Sequence, residues 1–186
     1  NYGFERFYKM LEKYPNTIFI GHAQAWWANI DKNYTDHNAV YPKGKVTPGG
    51  ITDRYLSDYP NMYGDLSAGS GLNALTRDDD HTRDFIQRHQ DKLMFGSDCS
   101  DWVGTGSACI GAQTIATVRR LSPSRTVERK IFCENARRIF KSDPTTLKMS
   151  STSCLAFIAT VACLACVSVA ADSPMSTDTN TSPTDP

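Results

Sequence analysis

Histidine and carboxylate side chains follow three short apolar runs of this chain. His22 closes the run TIFIG, Asp65 and Ser67 follow MYG, and Asp98 follows LMFGS. A histidine with carboxylates can transfer protons or bind a divalent metal. A carboxylate at the end of a buried strand needs a cation or hydrogen-bond donors, because burying it alone is costly. On residue type alone, a metal ligand and a structural hydrogen bond both remain open for Asp98, and His22 has the same two interpretations.

The first two of these runs are preceded by the same order of elements. Phe4, Phe7, Tyr8 and Leu11 have helical spacing, and the sequence YPN stops that helix before the first run. Residues 51–58 form a second predicted helix, and a second YPN precedes the second run. This repeat of helix, stop and buried strand favours a parallel α/β sheet.

The third run and the rest of the chain follow the same pattern. A helix is predicted to end over residues 84–90, and Thr76 with Asp79 resembles a capping box at its start. Two more helices are predicted over residues 108–121 and 126–141. Their expected buried residues are Ile110, Ile115, Val118 and Leu121 in the former, and Ile131, Phe132, Ile139 and Phe140 in the latter. The carboxyl ends of parallel strands form one edge, so the candidates should lie along a common rim.

Four segments carry a resemblance to a known family. NTIFIGHAQAWW, YPNMYGDLSAGSGLNALTRD, KLMFGSDCSD and ENARRIF resemble, in order and spacing, the carboxyl-terminal half of the amidohydrolase-related family of metal-dependent hydrolases and decarboxylases. The resemblance spans residues 1–141 and implies a parallel (β/α)₈ TIM barrel, of which this chain holds the last three βα units. It also implies a small-molecule substrate and a divalent metal, with zinc expected.

The resemblance also implies roles for individual residues. Asp98 resembles the carboxylate that ligates the metal and accepts a proton from the attacking water, and His22 resembles the histidine that hydrogen-bonds the substrate or that water. Asp65 resembles a position without a metal ligand, so capping of the turn over residues 67–70 is favoured over a substrate contact.

Three further residues are candidate substrate contacts on chemical grounds. Trp26 and Trp27 follow His22 so closely that at least one indole is expected to face the pocket. Arg77 suits a substrate carboxylate, but an exposed helix start carrying an Arg-Asp pair explains it equally well.

The histidines depart from the family pattern. The family's His-x-His pair is absent, and the other histidines are His37 in a polar loop and His81 and His89 on a helix face expected to meet solvent. A chain of 186 residues is also shorter than the roughly 250 of a complete barrel. We therefore expect an incomplete barrel with weak zinc binding and no turnover by itself. Metal-dependent hydrolysis of amide, lactone or related bonds is the leading function, and the alternatives are decarboxylation and a non-catalytic, membrane-tethered remnant.

Composition excludes some partners. Lys plus Arg and Asp plus Glu both number 20, and their scatter favours neither nucleic acid nor an anionic membrane surface. Cys99, Cys109 and Cys133 have no metal or disulfide-framework spacing and are expected to be free thiols in the cytoplasm. The sequence leaves the oligomeric state open.

The carboxyl-terminal residues differ in composition from the rest. After a predicted linker over 142–148, residues 149–171 begin with Met149 and run through an apolar segment that resembles a signal peptide or a membrane anchor, and residues 172–186 form a polar, disordered tail. A fusion of two gene products, a genuine anchor with membrane association, and a buried helix are the three interpretations.

Overall fold

Three short parallel strands form the sheet of this computed structural model, which describes residues 4–99 and 108–141. The strands are β1 (Phe19–Gly21), β2 (Met62–Asp65) and β3 (Leu93–Met94), and they lie side by side in chain order. Gly21 pairs with Gly64, and Gly64 pairs with Leu93. The predicted parallel pairing is confirmed, and within the described residues the sheet closes no barrel.

Helices connect and cover the strands. They are α1 (Tyr8–Lys13), α2 (Ala23–Ala28), α3 (Ile51–Asp58), α4 (Ala68–Thr76), α5 (Asp79–His89), α6 (Ile110–Leu121), α7 (Arg125–Arg129), a π-helical turn (Lys130–Glu134) and α8 (Asn135–Phe140). The order confirms the repeated helix-strand pattern and adds α4, which begins within the turn predicted over residues 67–70.

The two faces of the sheet differ in burial. Met62 and Leu93 point towards the helices and are fully buried, as expected for alternate residues of a strand. On the opposite face, Ile18 and Ile20 are 44% and 38% exposed. Asn61, the last residue of the second YPN, donates from Nδ2 to the carbonyls of Leu11 and Tyr14, which fixes the end of α1 beside the start of β2.

The face of α5 contradicts one prediction. His81 and His89 were expected to face solvent, but they are only 6% and 2% exposed, and together with Phe85 they form a buried stripe at four-residue spacing. The buried His89 is accommodated because its Nε2 lies 2.6 Å from Oδ1 of Asp53 on α3. The histidines are therefore part of the packing between helices.

The start of α5 also differs from the prediction. Thr76 belongs to α4, and the N-cap of α5 is Asp78, whose carboxylate accepts from the backbone N–H of His81. The same carboxylate accepts from the backbone N–H of Val46 at 3.0 Å and binds the ammonium of Lys45 at 3.1 Å. One aspartate therefore caps the helix and holds the loop over residues 43–50.

The last predicted helix is divided by the π-helical turn. Ile131 and Phe132 are buried as predicted, but Phe140 is 64% exposed. A π turn holds more residues than an α turn and so rotates the following residues around the helix axis, which explains the wrong prediction for Phe140. Asn135 is fully buried, and its Nδ2 donates to the carbonyls of Gln90 and Leu93, so the ENARR sequence anchors the start of β3.

The cysteine prediction is also wrong in part. Cys99 and Cys109 form a disulfide, and Cys133 is buried. The spacing did not reveal the pair because chain folding, and not sequence distance, brings the end of β3 to the start of α6. No helix among the described residues is long and apolar enough to cross a membrane. The linker, apolar segment and tail predicted over residues 142–186 lie outside the described residues.

Acid is expected to destabilise the fold through His81. Burial lowers the pKa of His81 below its usual value, with Asp53 opposing and Arg88 reinforcing the shift, and neither ring nitrogen has a hydrogen-bond partner among the described residues. A histidine whose folded-state pKa is lowered leaves the folded state fully stable above the unfolded pKa of about 6.5, and stability falls as the pH drops below it. The His81→Leu variant should therefore lose much less stability between about pH 7 and 5 than the wild type.

Thermal or urea unfolding at a series of pH values measures this effect. His37→Leu is the matched control, because it removes an exposed histidine and should keep the wild-type pH dependence. Parallel pH curves for the wild type and His81→Leu would contradict the prediction.

Candidate active site

His22 and Asp65 meet at the carboxyl ends of two adjacent strands. His22 follows β1 directly and Asp65 is the last residue of β2, so the parallel pairing of Gly21 with Gly64 brings both side chains to one edge. Nδ1 of His22 lies 3.0 Å from Oδ2 of Asp65. The side chains are 47% and 28% exposed, so both can be reached from solvent.

Ser67 completes the cluster. Its backbone N–H donates to Oδ1 of Asp65 at 2.9 Å, and its hydroxyl donates to Oδ2 at 2.6 Å. The hydroxyl oxygen also lies 3.2 Å from Nδ1 of His22. Asp65 therefore binds Ser67, the N-cap of α4, where a turn over residues 67–70 was predicted, and the same carboxylate contacts His22, which the sequence did not indicate.

This cluster does not have the geometry of a serine nucleophile. An activated serine gives its proton to a histidine nitrogen while a carboxylate holds the other nitrogen of that ring. Here the hydroxyl of Ser67 donates to Asp65, and both residues contact the same nitrogen of His22. Asp65 and Ser67 both contact Nδ1, so Nε2 is the nitrogen of His22 that these two residues leave for acid-base chemistry.

Asp98 follows β3 and makes no hydrogen bond or ion pair with this cluster among the described residues. The segment before it is close-packed, because a Cβ on Gly96 would come within 2.7 Å of Cβ of Ser67 and 2.9 Å of Oδ1 of Asp65. Asp98 itself is exposed. The hydrogen bonds and ion pairs of the described residues link His22 to Asp65 and Ser67 and include no contact between His22 and Asp98.

The tryptophans do not face a pocket as expected. Trp26 and Trp27 are 1% and 2% exposed and belong to the core, where Trp26 packs edge-on against Phe4. Nε1 of Trp27 donates to the backbone carbonyl of Asp65 at 2.8 Å. Both indoles point inward because α2 starts directly after His22 and turns this face of the helix towards the sheet. Trp27 therefore lies on the core side of the site and fixes the backbone of Asp65 through this hydrogen bond.

Arg77 is not available to a substrate either. Its side chain is 5% exposed and its guanidinium donates to Oδ2 of Asp31 at 3.0 Å. Further bonds reach the backbone carbonyls of Gly44 and Lys45. Both sequence interpretations, the substrate contact and the exposed helix start, are therefore replaced by a buried role in holding the loop.

Left-handed backbone conformations occur beside all three strand ends. Ala23, Ala68 and Asp98 have φ values of 70°, 63° and 45°. Residues with a Cβ disfavour this region by about 1–2 kcal/mol, and such strain clusters at functional sites. The strain is therefore concentrated on the rim that carries His22, Asp65 and Asp98.

Ala23→Gly should stabilise the fold by about 1 kcal/mol, because glycine adopts a φ of 70° without steric strain. The matched control is Ala28→Gly in the same helix, which should lose at least about 1 kcal/mol because glycine destabilises a regular helical position. Urea unfolding of the two variants measures the difference. Destabilisation of the same size in both would show that Ala23 is unstrained.

One comparison with models of known protein families gave a match. The model described as Amidohydrolase matches residues 5–141, most of the chain. The chain belongs to the amidohydrolase family. No curated protein and no solved structure gave a significant match.

Membership of the amidohydrolase family carries a general expectation of chemistry. The family suggests metal-dependent hydrolase or decarboxylase activity, and its members generally bind divalent metals. Across residues 4–99 and 108–141, however, no three histidine, cysteine, aspartate or glutamate side chains converge to hold a metal ion. His22 is also engaged through Nδ1 with Asp65. The described residues therefore do not by themselves form a metal centre.

Proposed function

We propose that this amidohydrolase chain contributes to the hydrolysis of amide, lactone or related carbonyl bonds in a small molecule, with zinc as the metal. The observation that carries the proposal is the placement of His22 and its carboxylate partner Asp65 at the carboxyl ends of adjacent parallel strands, in a chain that matches the family over residues 5–141. Active sites of parallel barrels lie at that end of the strands.

Each residue has a distinct proposed role. The side chain of His22 is 47% exposed and would hydrogen-bond the substrate or transfer a proton at Nε2. Asp98 would supply a carboxylate ligand and proton acceptor, for which its exposure after the third strand is suitable. A bound dication in such an enzyme lowers the pKa of water and polarises the carbonyl group. Because the described residues lack a three-donor cluster and the sequence has no His-x-His pair, we propose that this chain does not supply the remaining ligands.

The first test uses the chain of 186 residues. Purified and incubated with zinc, it should bind zinc weakly and release no product from a panel of lactones and amides. Stoichiometric zinc with hydrolysis would overturn the proposed need for further ligands.

The second test extends the coding sequence upstream of residue 1. An in-frame segment with a His-x-His pair, expressed with this chain, should yield a zinc-containing hydrolase. In that enzyme His22→Gln and Asp98→Asn should each lower kcat by roughly 10²–10⁴-fold. His37→Gln, a substitution of an exposed histidine, should leave kcat unchanged. Release of CO₂ in place of hydrolysis would reassign the enzyme as a decarboxylase. If the His22→Gln and Asp98→Asn variants kept the wild-type kcat, the proposed roles of both residues would be rejected.

A further inference from the structure

We propose that Asp65 is a positioning residue for His22: it holds the proton on Nδ1 and thereby presents Nε2 as the proton-accepting nitrogen. The assignment of Nε2 to substrate chemistry rests on the proposed function, whereas the position of the proton does not. The sequence favoured a capping role for Asp65, so the contact with His22 assigns it a second task.

The hydrogen bonds of Ser67 define Asp65 as an acceptor on both oxygens. Oδ1 accepts the backbone N–H of Ser67, and Oδ2 accepts its hydroxyl proton at 2.6 Å. An ionised carboxylate only accepts hydrogen bonds, so Nδ1 of His22, 3.0 Å from Oδ2, must be the donor.

The hydroxyl of Ser67 leads to the same assignment. Its single proton is directed at Asp65, so its oxygen, 3.2 Å from Nδ1 of His22, can only accept from that nitrogen. Both neighbours of Nδ1 are therefore acceptors. A neutral imidazole has one N–H, and with that proton on Nδ1 the lone pair is on Nε2.

The backbone around Asp65 fixes the position of the carboxylate. Asp65 pairs with Met94 in the sheet, and its carbonyl accepts from Nε1 of the buried Trp27. Gly96 lies so close that a Cβ there would be 2.9 Å from Oδ1. Contacts with the core and with the segment after β3 therefore fix the position of the Asp65 carboxylate. A fixed carboxylate can orient the more exposed side chain of His22.

A second histidine in the same chain provides an internal reference. His89 contacts its carboxylate partner, Asp53, through Nε2 at 2.6 Å, and not through Nδ1. His22 and His89 are therefore expected to protonate opposite ring nitrogens towards their partners. The chain has four histidines, so their signals can be assigned individually.

Long-range ¹H–¹⁵N correlation of the ¹⁵N-labelled full chain tests the proposal. Spectra are recorded at about pH 8.5, where an unperturbed histidine is neutral, and His22 is assigned by loss of its signals in His22→Gln. His22 should show the Nδ1–H form, while His89 should be protonated at Nε2. In Asp65→Asn, the side-chain oxygen can still accept from Ser67, and the amide NH₂ then faces His22, so His22 should change to the Nε2–H form. Ser67→Ala, which keeps the carboxylate, should retain Nδ1–H.

Two results would overturn the proposal: Nε2–H or an even mixture of the two forms at His22 in the wild type, or an unchanged Nδ1–H form in Asp65→Asn. If Asp65→Asn does not fold, the wild type and Ser67→Ala still decide between the tautomers. None of these spectra requires metal or turnover. A completed enzyme without hydrolysis but with Nδ1–H at His22 would reject the proposed function and leave the positioning role of Asp65 in place.

Discussion

Replacing Asp53 with alanine is expected to lower the free energy of unfolding by about 3–5 kcal/mol, the usual cost of removing one partner of a buried ion pair. Oδ1 of Asp53 lies 2.6 Å from Nε2 of the buried His89, and Arg88 donates to both carboxylate oxygens at 3.0 Å. Oδ2 also accepts the backbone N–H of Gly49. The substitution therefore leaves a buried imidazole and a loop amide without their acceptor. It also removes the hydrogen bonds that join α5 to Asp53 on α3.

Urea unfolding of the full chain measures this loss. Asp80→Ala is the matched control, because that carboxylate is 82% exposed and its ion pairs with Arg83 and Lys45 lie at the surface, where such pairs contribute about 1 kcal/mol or less. A loss below about 1 kcal/mol in Asp53→Ala would contradict the prediction, since it would mean that His89 finds an equivalent partner.

The effect of Asp53 should also depend on pH. Burial raises the pKa of Asp53, but hydrogen bonds from His89 and Arg88 and the charge of Arg88 outweigh burial and hold it well below the usual range. A carboxylate with a lowered folded-state pKa contributes its stability above the unfolded pKa of about 3.9 and loses it as the pH falls below that value. The difference between the wild type and Asp53→Ala should therefore narrow under strongly acidic conditions.

Gly21→Ala is expected to destabilise the chain by about 3 kcal/mol through overpacking. A Cβ at this position would lie 2.2 Å from Cε2 of Trp26, a ring that is 1% exposed and packed against Phe4. Since Trp26 lies one helical turn after His22, moving the indole should also displace His22 from Asp65.

Gly69→Ala separates this steric effect from the general effect of a glycine substitution. The nearest atoms to a Cβ at Gly69 belong to Tyr41 at 3.6 Å, an ordinary contact distance, and Gly69 lies within α4, where alanine is favoured by up to about 1 kcal/mol. Urea unfolding curves of both variants are compared with that of the wild type. The imidazole ¹H–¹⁵N signals of His22 show whether its contact with Asp65 is kept. Equal stability of Gly21→Ala and the wild type would show that α2 can move away without cost.

The sequence predicted the helices and strands of this fold better than it predicted which of their side chains are buried. Three short apolar runs, two of them after YPN stops, led to three parallel strands, because buried strands and proline breaks are strong local signals. The inward orientation of His81 and the outward orientation of Phe140 depend on how helices pack and on a π turn, and neither is local information. The helix α4 forms despite its glycines because it packs between α2 and α6, so tertiary contacts outweigh intrinsic propensity.

The sequence predicted where the candidate site lies better than it predicted which side chains contact each other there. His22, Asp65 and Ser67 follow from the position of strand ends in parallel sheets. The bond between His22 and Asp65 depends on strand register, which pairs Gly21 with Gly64 and which the sequence does not encode in any short motif. For Arg77 the sequence suggested a substrate contact because a guanidinium suits a carboxylate. The structure shows instead that Arg77 is buried and binds Asp31 and the loop over residues 43–50.

The carboxylate of Asp78 has a consequence for the order of folding. It holds Val46 across 32 residues of sequence, and it does so from the first turn of a helix that comes later in the chain. Closing so long a segment costs entropy that is recovered only when the acceptor is already in place. The loop over residues 43–50 is also bonded to Asp31 and Arg77, so its full set of hydrogen bonds is complete only when both earlier and later parts of the chain are in place.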